Sequence, residues 1–141
     1  MIFSYTGRKF TIDEARRMNS LALAYIGDAV FEVMVREHLL INNTNLSAHK
    51  LHVKAISYVK ASSQCAFVRK LEEHFTEEEM QVFKKGRNAK SPTMPKNTSV
   101  SDYRTATGFE ALLGYLYITA QIDRLELFMN IIFNDKKVTK E

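Results

Sequence analysis

Only one cysteine, Cys65, occurs in the chain, which excludes an intramolecular disulfide and fits a reducing compartment. No histidine or carboxylate is spaced to activate it, so it reads as a core thiol. Tryptophan is absent, and two prolines and five glycines leave few places where a helix must break. No apolar run reaches the ~18 residues of a membrane span. The opening MIFSYTGRKFTIDEARRMNS holds no signal-peptide core. Strand-period alternation, internal repeats and linkers are missing as well. Histidine is scarce: His49 and His52 stand three apart, His38 and His74 are scattered, and nothing is spaced to complete a zinc site. Exposed helix histidines are the plain reading. What survives these exclusions is a soluble, cytoplasmic domain.

At 45% hydrophobic and 26% charged residues, the 141-residue chain has the composition of one packed domain rather than a disordered one. Its periodicity is helical throughout. Residues 19–41, NSLALAYIGDAVFEVMVREHLLI, are apolar on nearly every face, as in a helix surrounded by others, with Asn19 or Ser20 as cap. Residues 45–72 carry apolar positions at helical spacing and form one long helix or two. Thr76-Glu77-Glu78-Glu79 is a capping box for a short helix through Phe83, which Gly86 then stops. Arg87–Ser101, with Pro92 and Pro95, reads as an extended loop stiffened by its prolines. Helices from about Tyr103 to Thr119 and from about Asp123 to Phe133 follow, and the tail NDKKVTKE reads as frayed. The fold class is all-α.

Two acids interrupt the apolar helices. Asp28 lies within YIGDAVFEV, and a buried carboxylate is costly unless paired, hydrogen-bonded or bound to a cation. At 100° per residue, Tyr25 and Glu32 share its face. Glu110 lies within TATGFEALLGYLY, on a narrow polar stripe with Tyr103, Thr107 and Tyr117, flanked by Gly108 and Gly114. Two readings fit. Two carboxylates on separate helices suit a hard cation such as Mg²⁺, completed by water and phosphate. Otherwise Asp28 is a core acid paired with Arg104 or Arg36, and Glu110 bonds a tyrosine. Sequence separation does not decide between them.

Net charge is only +4, but its distribution is uneven. Lys84, Lys85, Arg87, Lys90, Lys96 and Arg104 are opposed by Asp102 alone, while Glu72–Glu73 and Glu77–Glu79 lie upstream. Such a stretch is either a solvated loop or a phosphate-binding one.

Together, Gly27-Asp28-Ala29-Val30 and Phe109-Glu110-Ala111-Leu112-Leu113-Gly114 resemble the paired signatures of the ribonuclease III family. With KKGRNAKSPTMPKN and YRTATGFEALLGYLY, the chain over roughly residues 14–133 is similar to the Mini-ribonuclease III subgroup, whose members consist of the endonuclease domain alone. The 31 residues after Glu110 leave no room for a double-stranded-RNA-binding domain. The resemblance implies a homodimeric all-α endonuclease fold, Mg²⁺ dependence and cleavage of double-stranded RNA, each subunit cutting one strand. It also implies a substrate, the precursor of 23S ribosomal RNA, and leaves room for a ribosomal protein that shapes it. Asp28 and Glu110 are then the catalytic metal ligands. Lys85, Arg87, Lys90 and Lys96 reach phosphates, Asn88 and Asn97 donate to phosphate or ribose, and Arg104 holds a phosphate near the cut.

Two departures accompany it. The larger family usually has a glutamate four residues before the signature aspartate and an aspartate three before the signature glutamate. Here those positions are Ala24 and Thr107. A second protein-held metal loses its ligands, and Glu32 is either an outer-shell group or a structural ion pair. The competing functions are a non-catalytic double-stranded-RNA-binding or ribosome-assembly module and a purely structural helical dimer.

Overall fold

The computed structural model describes residues 5–91, 94 and 96–139, the side chains of 135–139 excepted. Its helices are α1 (Ile12–Arg16), α2 (Ser20–Asn42), α3 (Ala48–Val59), α4 (Ala61–Leu71), α5 (Glu77–Arg87), α6 (Val100–Ile118) and α7 (Ile122–Thr139), with a 3₁₀ turn at Glu72–His74. Among the described residues there is no strand, as the sequence predicts, and no helix is long and apolar enough to cross a membrane. Pro92 and Pro95, and with them their stiffening of the loop, lie outside the described residues.

Short polar side chains set the helix starts by satisfying N–H groups that the first turn leaves unpaired. Asn19 accepts from Leu21 and Ala22, and Ser99 from Asp102. The latter starts α6 earlier than the expected Tyr103. Thr76 and Glu79 form the predicted capping box. Thr11 and Glu14 form another, opening α1, a helix the sequence reading lacks although T-I-D-E carries the same signature. Residues 45–72 resolve into two helices at Lys60, whose backbone is extended (φ −66°, ψ 153°).

Helix α6 is the core. Phe109, Ala111, Leu112, Leu113 and Leu116 on it are fully buried. Helix α2 runs antiparallel along it, Gly27 against Glu110 and Leu23 against Gly114, so close that backbone meets backbone. Helix α5 packs on another side of α6, which corrects the expectation for Gly86. That glycine does not stop α5. It lies inside the helix, because a Cβ there would sit 2.8 Å from the Ala111 Cβ and 3.0 Å from the Gly108 Cα. Its signal is close packing rather than termination.

Two further expectations change. Helix α2 is not enclosed: Tyr25, Asp28, Ala29, Val33 and Arg36 are exposed, so the described residues leave its apolar outer positions uncovered. Helix α7 continues past Phe133 to Thr139, since no proline or glycine interrupts that segment.

The α5–α7 junction is closed by an ion pair. Arg124 donates from Nε and Nη2 to both oxygens of Glu79 (2.7 and 2.8 Å) and from Nη2 to the His74 carbonyl (2.7 Å). Glu79, buried at 2% exposure, therefore serves its own capping box and α7 together. A bidentate, largely buried pair of this kind fixes geometry more firmly than the exposed Arg8–Glu14 pair.

Candidate active site

The α2–α6 crossing creates the site. Because Gly27 has no side chain, α2 settles onto the Glu110 backbone, and the next residue, Asp28, emerges at the solvent edge beside the Glu110 side chain. Asp28 is exposed rather than buried, which corrects the reading of its environment. Among the described residues it has no ion pair, with Arg36 or with Arg104. Arg36 instead donates to Glu32 at 3.1 Å, one turn apart on α2, so Glu32 is in a structural ion pair.

Glu110 is half-buried, and its partner is not a tyrosine. Gln64, on α4, donates from Nε2 to Glu110 Oε2 at 3.0 Å. Burial pushes the Glu110 carboxyl up to about 7, the Gln64 hydrogen bond opposes that rise, and the neighbouring Asp28 carboxylate adds to it. The two acids therefore meet, and the Asp28 charge makes that of Glu110 harder to hold. A cation between them would relieve both.

The donor set fits a hard cation. Both side chains offer hard carboxylate oxygens, and no group of three His, Cys, Asp or Glu gathers anywhere among the described residues. Two carboxylates among the described residues would suit an ion that keeps several waters, such as Mg²⁺, better than a zinc cage. His49 and His52 are exposed, and Cys65 is buried against Asp102 at 3.4 Å. Thr107, at a position where the larger family carries an acid, donates to the Tyr103 carbonyl (2.9 Å) and so spends its hydroxyl on its own helix. Ala24 is in the core.

In the cation-free protein the raised carboxyl gives stability a definite sign. The native state holds the Glu110 proton more tightly than the unfolded chain. That advantage is complete below about 4.5 and is lost as pH rises through about 7. In a chelator, stability is expected to fall on the order of 2 kcal/mol between about pH 5 and about pH 8 from this group. Glu110→Gln is expected to remove that fall, as calorimetry of both proteins across the range would measure.

The cationic residues divide. A cleft of about 290 Å³ beside α6 is lined by Lys90, Ser91, Tyr103, Arg104 and Thr107 among others, so Lys90 and Arg104 share a cleft whose nearest α6 residue to Glu110, Thr107, lies about one turn from it. Arg87 lies over the Phe83 ring and donates to Asn88 at 3.4 Å, while Lys96 and Asn97 are exposed. Asn97 adopts φ 66°, a left-handed conformation that asparagine tolerates. Lys85 lies elsewhere. Its Nζ donates to the Arg16 carbonyl (3.1 Å), ending α1, and it lines a different cleft with Ser20 and Leu23. The functional residue that sequence reading missed is Gln64; its signal was an amide on the same helix face as the buried Val68 and Leu71.

Comparison with known proteins gives the chain's family and fold. The family model described as Ribonuclease III domain matches residues 21–121, which include both acids and the helix crossing. Mini-ribonuclease 3 of Clostridium tetani is 46% identical over 130 residues, covering 92% of this chain and 86% of that one. Mini-ribonuclease 3 of Enterococcus faecalis is 44% identical over 117 residues, covering 82% and 88%. A crystal structure of a protein from Fusobacterium nucleatum has the same fold, with a TM-score of 0.77 at 26% identity, covering 86% of this chain and 96% of that one. With a match spanning the whole site and relatives this similar over most of their length, the chain belongs to the ribonuclease III family and is an endoribonuclease.

Proposed function

We propose that this chain is a Mg²⁺-dependent endonuclease of double-stranded RNA that works as a homodimer in the cytoplasm on the paired ends of the 23S ribosomal RNA precursor. The observation that carries the reading is the meeting of Asp28 and Glu110 across the Gly27 crossing. Asp28 and Glu110 would hold Mg²⁺, which would supply positive charge to polarise a phosphate and a water. Asp28, at the solvent edge, is open to a phosphate that approaches from outside, whereas Glu110 would hold the ion from the half-buried side. The products are a 5′-phosphate and a 3′-hydroxyl.

A-form RNA is held mainly through phosphates and 2′-hydroxyls. Lys90 and Arg104, in one cleft along the same helix as Glu110, suit phosphates near the cut, and Arg87, Asn88, Lys96 and Asn97 extend the contact along the backbone. The dimer is supported by the outer face of α2, where Tyr25 (83% exposed), Ala29 and Val33 (56%) form an apolar stripe next to Asp28. A two-fold axis there would set two acid pairs toward the two strands of one duplex. A ribosomal protein bound to the precursor would present the duplex rather than complete the site.

The experiment is direct: purified protein with a perfect RNA duplex and with a paired 23S precursor fragment, each with Mg²⁺ or with chelator. Mg²⁺-dependent cutting of both is expected, and two uncut substrates overturn the reading. A second measurement separates the cationic residues. Replacing Lys90, Lys96 and Arg104 together by glutamine is expected to weaken duplex binding about tenfold or more and to lower the salt slope by about one per lost phosphate contact. Lys85→Gln, removing a group already on the Arg16 carbonyl, is expected to leave that slope unchanged. Filter binding across a salt series distinguishes the two.

A further inference from the structure

We infer that Gln64 is a positioning residue for the metal ligand Glu110, acting from α4 through its side-chain amide. This rests on the reading of Asp28 and Glu110 as cation ligands. Gln64 is buried at 2% exposure, yet its carbonyl oxygen Oε1 has no hydrogen-bond partner among the described residues. Leaving a buried acceptor unpaired costs about 1–3 kcal/mol, so leucine or methionine would serve packing better at this position. The gain lies at the other end of the amide. Nε2 donates both to the Val59 carbonyl (2.9 Å), at the end of α3, and to Glu110 Oε2 (3.0 Å).

Those two acceptors also fix the orientation. Turning the amide over would set Oε1 against a carbonyl and a carboxylate, so an N–H always faces Glu110. The anchor is independent of the two acids as well, because Val59 belongs to the α3–α4 corner rather than to the helices that carry them. One Glu110 oxygen is thereby committed to the protein, and Oε1 of Glu110 accepts from no donor among the described residues. Gln64 holds the carboxylate in one rotamer and assigns its two oxygens different tasks. Hydrogen-bond partners of metal-binding carboxylates typically contribute 10–100-fold in metal affinity or activity.

The test uses Gln64→Met, which keeps length and apolar bulk but loses the amide, beside wild type and Asp28→Asn. Mn²⁺ affinity is read by electron paramagnetic resonance, duplex binding by gel shift in chelator, and cleavage over a Mg²⁺ series. Gln64→Met is expected to bind Mn²⁺ about tenfold more weakly and to need about tenfold more Mg²⁺ for half-maximal cutting, with duplex binding unchanged. Wild-type Mn²⁺ affinity and cleavage in Gln64→Met overturn the inference while Asp28→Asn still loses both. Absence of Mn²⁺ binding in wild type overturns the cation reading itself. Folding of the variant is not required for the second arm. In ¹⁵N-labelled wild-type protein, the Gln64 side-chain amide signal is expected to shift on Mg²⁺ addition with the midpoint of cleavage, and an unmoved signal overturns the inference.

Discussion

Asp28→Asn is expected to slow duplex cleavage a thousandfold or more while leaving duplex binding and the fold intact. The substitution keeps shape and removes one charge. Asp28 is exposed and, among the described residues, holds no ion pair, so no packing or salt bridge goes with it. Its loss removes half of the carboxylates the chain offers a cation, and a thousandfold corresponds to about 4 kcal/mol of transition-state stabilisation. The same change relieves Glu110 of a like-charged neighbour, so the cation-free variant is expected to melt no lower than wild type at neutral pH. This combination matters. A residue needed for packing would lose stability along with activity; a ligand held against repulsion loses only activity. Single-turnover cleavage of an end-labelled duplex, with melting curves in chelator, measures both. Cleavage within tenfold of wild type would remove Asp28 from the chemistry.

Two of the caps, most helix spans and the all-α class were legible because they depend on neighbours a few residues apart. Asn19 and the Thr76–Glu79 box act within one turn, and their pattern is complete in the sequence, whereas Ser99 and the Thr11–Glu14 box, equally local, went unread. What escaped depends on tertiary approach. Gly86 carries the same letter whether it ends a helix or lets one pack on Gly108 and Ala111, and only the partner helix distinguishes these. The apolar faces of α2 predicted enclosure, yet Tyr25 and Val33 are exposed, since periodicity does not say whether a face is covered by the same chain. Asp28 and Glu110 were each conspicuous, but their meeting is decided by two glycines at one crossing. Gln64 went unnoticed because glutamine in a helix is ordinary; only its 2% exposure marks it as a residue with a task.

Gly27→Ala is expected to be the most damaging small substitution in the chain, and the reason lies in where the added carbon would go. A Cβ on Gly27 would sit 1.7 Å from the carbonyl oxygen of Glu110 and 2.8 Å from the Gly114 nitrogen. These are backbone atoms of the core helix, so no rotamer change relieves them. Helices α2 and α6 must part by about 1.5 Å to restore ordinary contact, loosening the Phe31–Phe109 edge-to-face pair and the core around it. Alanine favours a helix over glycine by about 1 kcal/mol, but the overpacking cost of at least about 3 kcal/mol wins. Against a total of about 5–15 kcal/mol, the melting temperature should fall by about 10 °C or more. Gly86→Ala, which meets a side-chain carbon at 2.8 Å, should cost less, and Gly7→Ala, with open space around it but φ +66°, little beyond local strain. The ranking has a functional counterpart. Wherever Gly27→Ala remains folded, the parted helices shift Asp28 from Glu110, so cleavage should fall at temperatures where circular dichroism still reports full helix. Wild-type cleavage in a folded Gly27→Ala protein would mean that the crossing holds the fold together but does not set the distance between the two acids.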